Sequence, residues 1–189
     1  MVSAIQPSIE STLQPNTKRI LDLGSGLDRC IVDALTVDKV ADTKPDIIHD
    51  LDVYPWPFQD SYFEEVYCLD TIEHLRDVVG TMDEIYRIAR GGARVHITTP
   101  HFSCSNSYTD PTHLHHLGVF SFDYFTGANQ WHFYSKSRFK KIDMRLNFHN
   151  NMKNRLVRRL ANRFPAFYEE HLTWIFPAWY TSFELEVIK

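Results

Sequence analysis

The amino-acid sequence predicts an α/β fold with a mostly parallel sheet. Two observations indicate it: short apolar runs recur along the first hundred residues, and a segment of helical periodicity connects the last two runs. A strand, a crossover helix and a second strand form the unit of which parallel sheets are built. Two alternating segments in the last third of the chain add an antiparallel pair, so seven strands are expected.

The predicted strands are short, rich in Ile, Val and Leu, and bounded by turn residues. In chain order they are 19–23, 34–37, 46–49, 65–69 and 93–99, followed by the alternating segments 139–148 and 182–189, the last being the antiparallel closing strand. The connecting helix lies within 75–92, where Val78, Met82 and Ile85 recur at helical spacing. Gly91 and Gly92 are predicted to stop this helix.

Length and composition favour one domain, 18–189, after an arm over residues 1–17 that has two prolines and many small polar residues. The net charge of -4 argues against nucleic acid as a partner. Three cysteines without CxxC spacing suggest no disulfide framework and favour a reducing cytoplasm. We expect neither a secretion signal nor a membrane span, because no apolar run has the required length.

A glycine turn follows the first predicted strand, in Ile20-Leu-Asp-Leu-Gly-Ser-Gly26. Its glycines allow a tight bend and let backbone N–H groups face a ligand. The dinucleotide fingerprint needs a further glycine, but Asp28 stands in that place, and its carboxylate would repel a pyrophosphate. A cationic ligand tolerates such acids, which favours S-adenosylmethionine; a simple strand-ending turn is the alternative.

Four motifs occur in order: the glycine turn, Asp38 at the end of the second strand, the segment 49–75 and the segment 82–100. Together they resemble class I S-adenosylmethionine-dependent methyltransferases of the type 11 family, over about residues 18–125. The resemblance implies a Rossmann-like, seven-stranded sheet with S-adenosylmethionine as cofactor. The chain departs from the family at one place, since about ten residues between Gly26 and the second strand leave no room for a normal first helix. A shortened first helix is therefore expected, with Asp28 or Arg29 near the cofactor.

The resemblance also implies cofactor-binding residues. The methionine part would lie along Asp22, Gly24, Ser25 and Gly26, and the ribose hydroxyls would bind Asp38. Asp50 and Leu51 would adjoin the adenine, and Leu69, Asp70 and Thr71 would lie under the methionine end. Local roles are the alternative: Asp38 would cap a turn, and Asp50 would be a solvated loop acid.

A histidine-rich loop follows the fifth strand, at the sheet edge where α/β proteins bind ligands. It resembles a subgroup of the family with the pattern PHFS…DPTH, many members of which look associated with glycan or natural-product pathways. We predict His101 or His113 as the catalytic base or acceptor-orienting group, with Asp110 as its partner. No metal ligand is assigned, although His101, Asp110 and His113 could hold a metal instead. A capped turn over 110–113, with His115 and His116 on the surface, is the structural alternative.

Glu73 and His74 lie near the same pocket by the resemblance, or only pack against the following helix.

An insertion over about 150–180 combines a basic amphipathic helix with aromatic residues. Met152, Leu156, Leu160 and Phe164 recur at every fourth position among lysine and arginine residues. Such a segment could contact an anionic membrane surface or receive a phosphorylated or lipid-linked acceptor. We favour the alternative that the aromatics pack against the sheet and the cations face solvent.

The sequence thus predicts an S-adenosylmethionine-dependent methyltransferase that acts on an oxygen or nitrogen of a small-molecule or glycan-type acceptor. A non-catalytic binding or regulatory module of the same fold is the alternative. A nicotinamide-dependent oxidoreductase is disfavoured, because the pyrophosphate fingerprint is missing.

Overall fold

The computed structural model describes residues 18–27, 31–127, 135–149 and 152–189. Its strands are β1 (Ile20–Leu23), β2 (Leu35–Asp38), β3 (Ile47–Ile48), β4 (Phe63–Leu69), β5 (Ala89–Pro100), β6 (Phe139–Asn147) and β7 (Tyr180–Val187). Its helices are α1 (Val78–Ile88), α2 (Asn106–Thr109), α3 (Met152–Arg163) and α4 (Pro165–His171). Short 3₁₀ turns cover Ala41–Thr43, Ile72–His74 and Ser121–Phe125.

All seven strands form one sheet in the order β3-β2-β1-β4-β5-β7-β6. The strands from β1 to β5 pair in parallel, whereas β7 runs antiparallel to both of its neighbours. The predicted fold class is therefore confirmed. Because parallel strands end at the same edge, the loops after β1, β2, β4 and β5 meet there.

The main core lies between the sheet and α1. Met82, Ile85 and Ile88 of α1 are buried in the same cluster as Leu21 and Val66 of the central strands. The helix begins at Val78, because the Asp77 side chain accepts a hydrogen bond from the Gly80 N–H (2.9 Å) and caps it.

The helix stop predicted at Gly91 and Gly92 is wrong. Helix α1 ends at Ile88, and the extended residue Ala89 already belongs to β5. Both glycines lie inside β5, where the pairing with β4 shifts register between Phe63 and Glu65. Gly92 has a φ of 79°, so the glycines serve an irregularity of the strand and not a helix cap.

The connection from β1 to β2 has no helix in its described parts, 24–27 and 31–34, which agrees with the expectation that a first helix of normal length does not fit there. Asp28 and Arg29, expected near the cofactor, lie outside the described residues, as do Cys30 and the predicted arm 1–17. Cys68 and Cys104 are buried and unpaired thiols. None of the helices in the described part of the chain is long and apolar enough to cross a bilayer.

The insertion carries α3 and α4 and forms a second, smaller core. Tyr168 and Ala161 are buried there with Leu146 of β6. The expectation that its aromatics pack against the sheet is only partly met. Large apolar side chains remain exposed: Leu156, Leu160, Phe164, Phe167, Trp174, Ile175 and Phe176.

Candidate active site

A cleft of about 350 Å³ opens at the carboxyl edge of the sheet. This is the place where open α/β sheets bind ligands, and its volume lies in the range of small-molecule sites. It is lined by Gly24, Asp38, Lys39, His49, Asp50, Leu51, Asp70, Thr71, His74, Leu75 and Thr112. Six of the predicted cofactor residues therefore meet in one cleft: Gly24, Asp38, Asp50, Leu51, Asp70 and Thr71.

The glycine turn closes the end of β1 against its two neighbouring strands. The N–H groups of Gly24 and Ser25 donate to the Val37 carbonyl at the end of β2 (2.8 and 3.2 Å). Gly24 has a φ of 68°, and a Cβ added to it would lie 2.3 Å from the Thr71 Oγ1 atom. Gly26 has a φ of 56°, but an added Cβ would meet no atom of the described residues within 4 Å. Glycine is thus required at Gly24 both by the positive φ and by the lack of room for a Cβ atom. At Gly26 the positive φ alone requires it.

Asp38 ends β2 and holds the glycine turn. Its carboxylate accepts hydrogen bonds from the N–H of Gly26 (3.0 Å) and from the N–H of Val40 (2.8 Å). These bonds fix the side chain at the wall of the cleft. Since each carboxylate oxygen has two lone pairs, Asp38 can still accept hydrogen bonds from a ligand.

Asp50 and Leu51 form another part of the cleft wall. One Asp50 oxygen accepts the N–H of Asp52 (3.1 Å) in an Asx turn, whereas the local alternative for this residue is a solvated loop acid. Leu51 is buried, and its carbonyl accepts the indole N–H of Trp56 (3.0 Å). An acid and an apolar side chain therefore stand side by side, at positions held by local hydrogen bonds.

Asp22, Ser25, Gly26 and Leu69 do not line the cleft, although the resemblance implies them as cofactor residues. Asp22 lies in β1 between two paired strands and is 4% exposed. Burial raises the pKa of its carboxyl to about 6. The buried Ser25 hydroxyl has no hydrogen-bond partner among the described residues.

The hydrogen-bond acceptors that line the cleft suit S-adenosylmethionine as a ligand. Asp38, Asp50 and Asp70 place three carboxyl groups around one cavity, and such a set accepts hydrogen bonds from a ribose diol and attracts an ammonium or a sulfonium. It would repel a pyrophosphate. Burial raises the pKa of Asp70, although the Thr98 hydroxyl donates to it at 3.0 Å.

His101, predicted as a possible base, does not reach this cleft. Its side chain is 0% exposed, and its Nε2 and Nδ1 atoms lie 3.1 Å from Glu169 Oε1 and 2.8 Å from Ser103 Oγ. The same Glu169 oxygen accepts the N–H of Val119 (2.7 Å). His101 thus ties the insertion to the end of β5. With both ring nitrogens engaged and no access to solvent, the base role is not supported for this histidine.

His113 lies in the same loop but beside the cleft. Its ring packs edge to face against His74, with 4.6 Å between ring centres. Its Nε2 atom is 4.0 Å from Asp110 Oδ2, so the predicted pair of His113 and Asp110 is close in space. The DPTH turn also forms the expected capped turn, because Asp110 accepts the Thr112 N–H at 2.8 Å. The two interpretations of this segment are therefore compatible.

His74 is a cleft residue, and Glu73 lies buried behind it. Burial lowers the pKa of the His74 imidazole, and that of the Glu73 carboxyl is raised by burial to about 7. Sequence reasoning did not predict Lys39, His49 or Thr112 as part of the cleft. Thr112 belongs to the DPTH pattern, but no periodicity signals how that loop folds back onto the turn after β4.

Residues 31–97 match the family model described as a methyltransferase domain. The matched segment, about a third of the chain, is therefore similar to a methyltransferase domain. The match ends before the histidine-rich loop, so that loop and the insertion lie outside it. A comparison with curated proteins gave no significant match.

Solved structures share the fold of this chain at low sequence identity. An S-adenosylmethionine-dependent methyltransferase from Archaeoglobus fulgidus is 18% identical, with a TM-score of 0.61 over 89% of this chain and 86% of that chain. One from Mesorhizobium loti is 15% identical, with a TM-score of 0.57 over 89% and 90% of the two chains.

A third such structure is that of Haemonchus contortus phosphoethanolamine N-methyltransferase 2 in complex with S-adenosyl-L-methionine. It is 16% identical, with a TM-score of 0.53 over 91% of this chain and 49% of that one. The family match, together with the fold, confirms the predicted family, the enzyme class and S-adenosylmethionine as cofactor.

Proposed function

We propose that the protein transfers a methyl group from S-adenosylmethionine to an oxygen or nitrogen of a small-molecule or glycan-type acceptor. The observation that carries the proposal is the acidic cleft at the carboxyl edge of the sheet, with the DPTH turn at its rim through Thr112. Cofactor and acceptor residues thus come from neighbouring loops. Such an arrangement suits a reaction in which alignment of two substrates does most of the work.

The proposed cofactor contacts divide the cleft into two ends. Asp38 accepts the ribose hydroxyls, and Leu51 with Asp50 adjoins the adenine. Gly24 and Asp70 lie at the methionine end, with Asp22, Ser25, Gly26 and Leu69 supporting that end from behind. S-adenosylmethionine supplies a methyl group that its sulfonium charge activates.

His113 is proposed to orient the acceptor or to accept its proton, with Asp110 beside it. Its Nδ1 atom lies 3.3 Å from the Ser107 carbonyl, which can only accept a hydrogen bond. The ring proton must therefore be on Nδ1, and the Nε2 lone pair is available. His101 is proposed as a positioning residue that anchors the loop.

Calorimetric titration with S-adenosylmethionine and with its demethylated product, S-adenosylhomocysteine, tests the cofactor part. We expect binding of both, and a loss of roughly 10- to 100-fold for Asp38→Ala, because charged hydrogen bonds contribute about 1.5–3 kcal/mol. Asp42→Ala, at an exposed position near the cleft wall, serves as control. Absence of binding by the native chain would refute the proposal.

Catalysis is tested by following S-adenosylhomocysteine formation with a panel of hydroxylated and amino acceptors. A non-catalytic module binds the cofactor but forms no product with any acceptor. The acidic cleft also predicts no binding of NAD. A cytoplasmic location is proposed as well, on the basis of the two buried free thiols.

The surface of the insertion supports a second candidate activity, contact with an anionic membrane. On α3, Val157 and Ala161 pack inward, while Leu156, which directly precedes Val157 and so lies about 100° around the helix axis from it, is 76% exposed. Trp174 is 73% exposed beyond α4. Four exposed cations accompany these apolar groups: Arg155, Arg158, Arg159 and Arg163. Exposed apolar and cationic groups within one segment are the combination that binds an anionic bilayer.

Sedimentation with phosphatidylcholine vesicles, with and without phosphatidylserine, tests this surface. We expect binding only to the anionic vesicles, weakened by salt and by the double change Phe167→Ser with Trp174→Ser. Ile188→Ser, at an exposed apolar position directly after β7, is the matched control. Equal binding by both variants, or none by the native chain, would contradict membrane contact.

A further inference from the structure

We propose that Glu73, His74 and His113 form a binding site for a divalent transition-metal ion at the acceptor side of the cleft. Glu73 and His74 belong to the 3₁₀ turn after β4, and His113 to the loop after β5. One possible ligand atom of each residue lies within 4.8 Å of those of the other two. Two imidazoles and one carboxylate, with open positions left, are a common ligand set for catalytic zinc and related ions.

Backbone hydrogen bonds hold the two segments together. The N–H groups of Leu114 and His115 both donate to the Glu73 carbonyl (2.7 and 3.2 Å). The loop that carries His113 is therefore fixed against the turn that carries the other two ligands. A site of this kind needs no large rearrangement to bind an ion.

Hydrogen bonding fixes the tautomer of His74. The Thr112 hydroxyl donates to Asp110 Oδ1 (2.6 Å), so its oxygen accepts from the His74 Nδ1 atom, 2.9 Å away. The His74 proton is then on Nδ1, as it is on His113, which donates to the Ser107 carbonyl. Both rings thus keep an Nε2 lone pair for a ligand. Partners of this kind on the second ring nitrogen are typical of metal-binding histidines.

The Glu73 carboxylate independently supports a cation at this place. Its side chain is 1% exposed, and neither carboxylate oxygen has a hydrogen-bond partner among the described residues. A buried carboxylate without a partner is costly unless it takes up a proton or a cation neutralises it. Between two imidazoles that offer lone pairs, a metal ion is the cation that satisfies all three groups.

The position of the site connects it with the acceptor. His74 and Thr112 line the cleft, so the open positions of a bound ion would face it. A hydroxylated acceptor is the chemical class that such an ion would hold. The contact between the ion and the acceptor rests on the proposed function, and it assigns the acceptor-orienting role of His113 to the bound metal. Binding of the ion itself does not depend on the proposed function.

Calorimetric titration of untagged, metal-free, full-length protein with Zn²⁺ tests the site. We expect one ion per chain and a preference for Zn²⁺ over Mg²⁺, because imidazole ligands favour the former. His74→Ala, His113→Ala and Glu73→Gln should each weaken binding at least about tenfold. Thr112→Val, at an exposed position, should weaken it by roughly 10- to 100-fold, since it removes the partner of His74. His171→Ala, an exposed histidine on α4, is the control.

Glu73→Gln keeps the shape of the side chain and removes its charge, so circular dichroism should show a folded protein. The absence of 1:1 binding by the native chain, or unchanged binding by Thr112→Val and Glu73→Gln, would overturn the inference. S-adenosylhomocysteine binding is measured in the same samples. If Zn²⁺ binds and the nucleoside does not, the proposed function fails and the metal site stands; the reverse result removes the metal site alone.

Discussion

The buried carboxyl of Asp22 makes the stability of the protein depend on pH in a defined direction. Asp22 lies in β1, paired with Thr36 of β2 on one side and with Tyr67 of β4 on the other. Burial there raises its pKa from the ordinary 3.8 to about 6. The folded state therefore binds the proton more tightly than the unfolded state, and stability is lost as the pH rises between these two values.

The size of the effect follows from the shift. A rise from 3.8 to about 6 corresponds to about 3 kcal/mol, at about 1.4 kcal/mol per pKa unit. Asp22→Asn removes the charge and keeps the shape. We expect the variant to be more stable than the native chain by about 3 kcal/mol at pH 8, but by only about 0.5 kcal/mol at pH 4.

Urea unfolding followed by tryptophan fluorescence at both pH values measures this difference, because Trp56 is buried in the core. Asp42→Asn, at an exposed position, should stay within about 0.5 kcal/mol of the native chain at either pH. The same Asp22→Asn variant should bind S-adenosylhomocysteine more weakly if Asp22 supports the methionine end. A variant that is less stable at pH 8, or equally stabilised at pH 4 and 8, would refute the reasoning.

Two further predictions concern the glycine turn and the histidines. Gly26→Ala should lower the free energy of unfolding by about 1 kcal/mol, because its φ is positive. Gly24→Ala should lower it by at least about 1 kcal/mol more than Gly26→Ala does, because the added Cβ also meets Thr71. Equal costs in urea unfolding would contradict the close approach. His101→Ala should destabilise the fold by about 1–3 kcal/mol, since Glu169 loses a buried partner and keeps only the Val119 N–H on that oxygen. His113→Ala should change stability less and lower turnover more, and the opposite order would show that His101 is the functional residue.

The strands and the cofactor side of the cleft follow from local patterns. Each predicted strand of the parallel part overlaps an observed one, because buried parallel strands are continuous apolar runs bounded by turn residues. Gly24, Asp38 and Asp50 stand at strand ends, and strand ends of a parallel sheet share one edge. Their convergence therefore needs only the order of the elements.

Local sequence patterns predict the structure less well where burial in the folded protein determines it. Gly91 and Gly92 resemble a helix stop, yet they lie at an irregularity inside β5. The strand begins directly after the helix, because Ala89 already pairs with Phe63 of β4. Leu156 repeats at helical spacing like a core residue, but among the apolar side chains described on α3 it is Val157 and Ala161 that pack onto the core beneath the helix.

The sequence by itself determined the fold class, the glycine turn and the acids at the strand ends, since these depend on residue type and on neighbours in the chain. Only the tertiary structure decided between the histidines: it buries His101 against Glu169 and brings His113 to His74 and Glu73. These partners are about 40 to 70 residues apart in the chain. No local pattern encodes such contacts, because they arise when loops from different strands pack at one edge of the sheet.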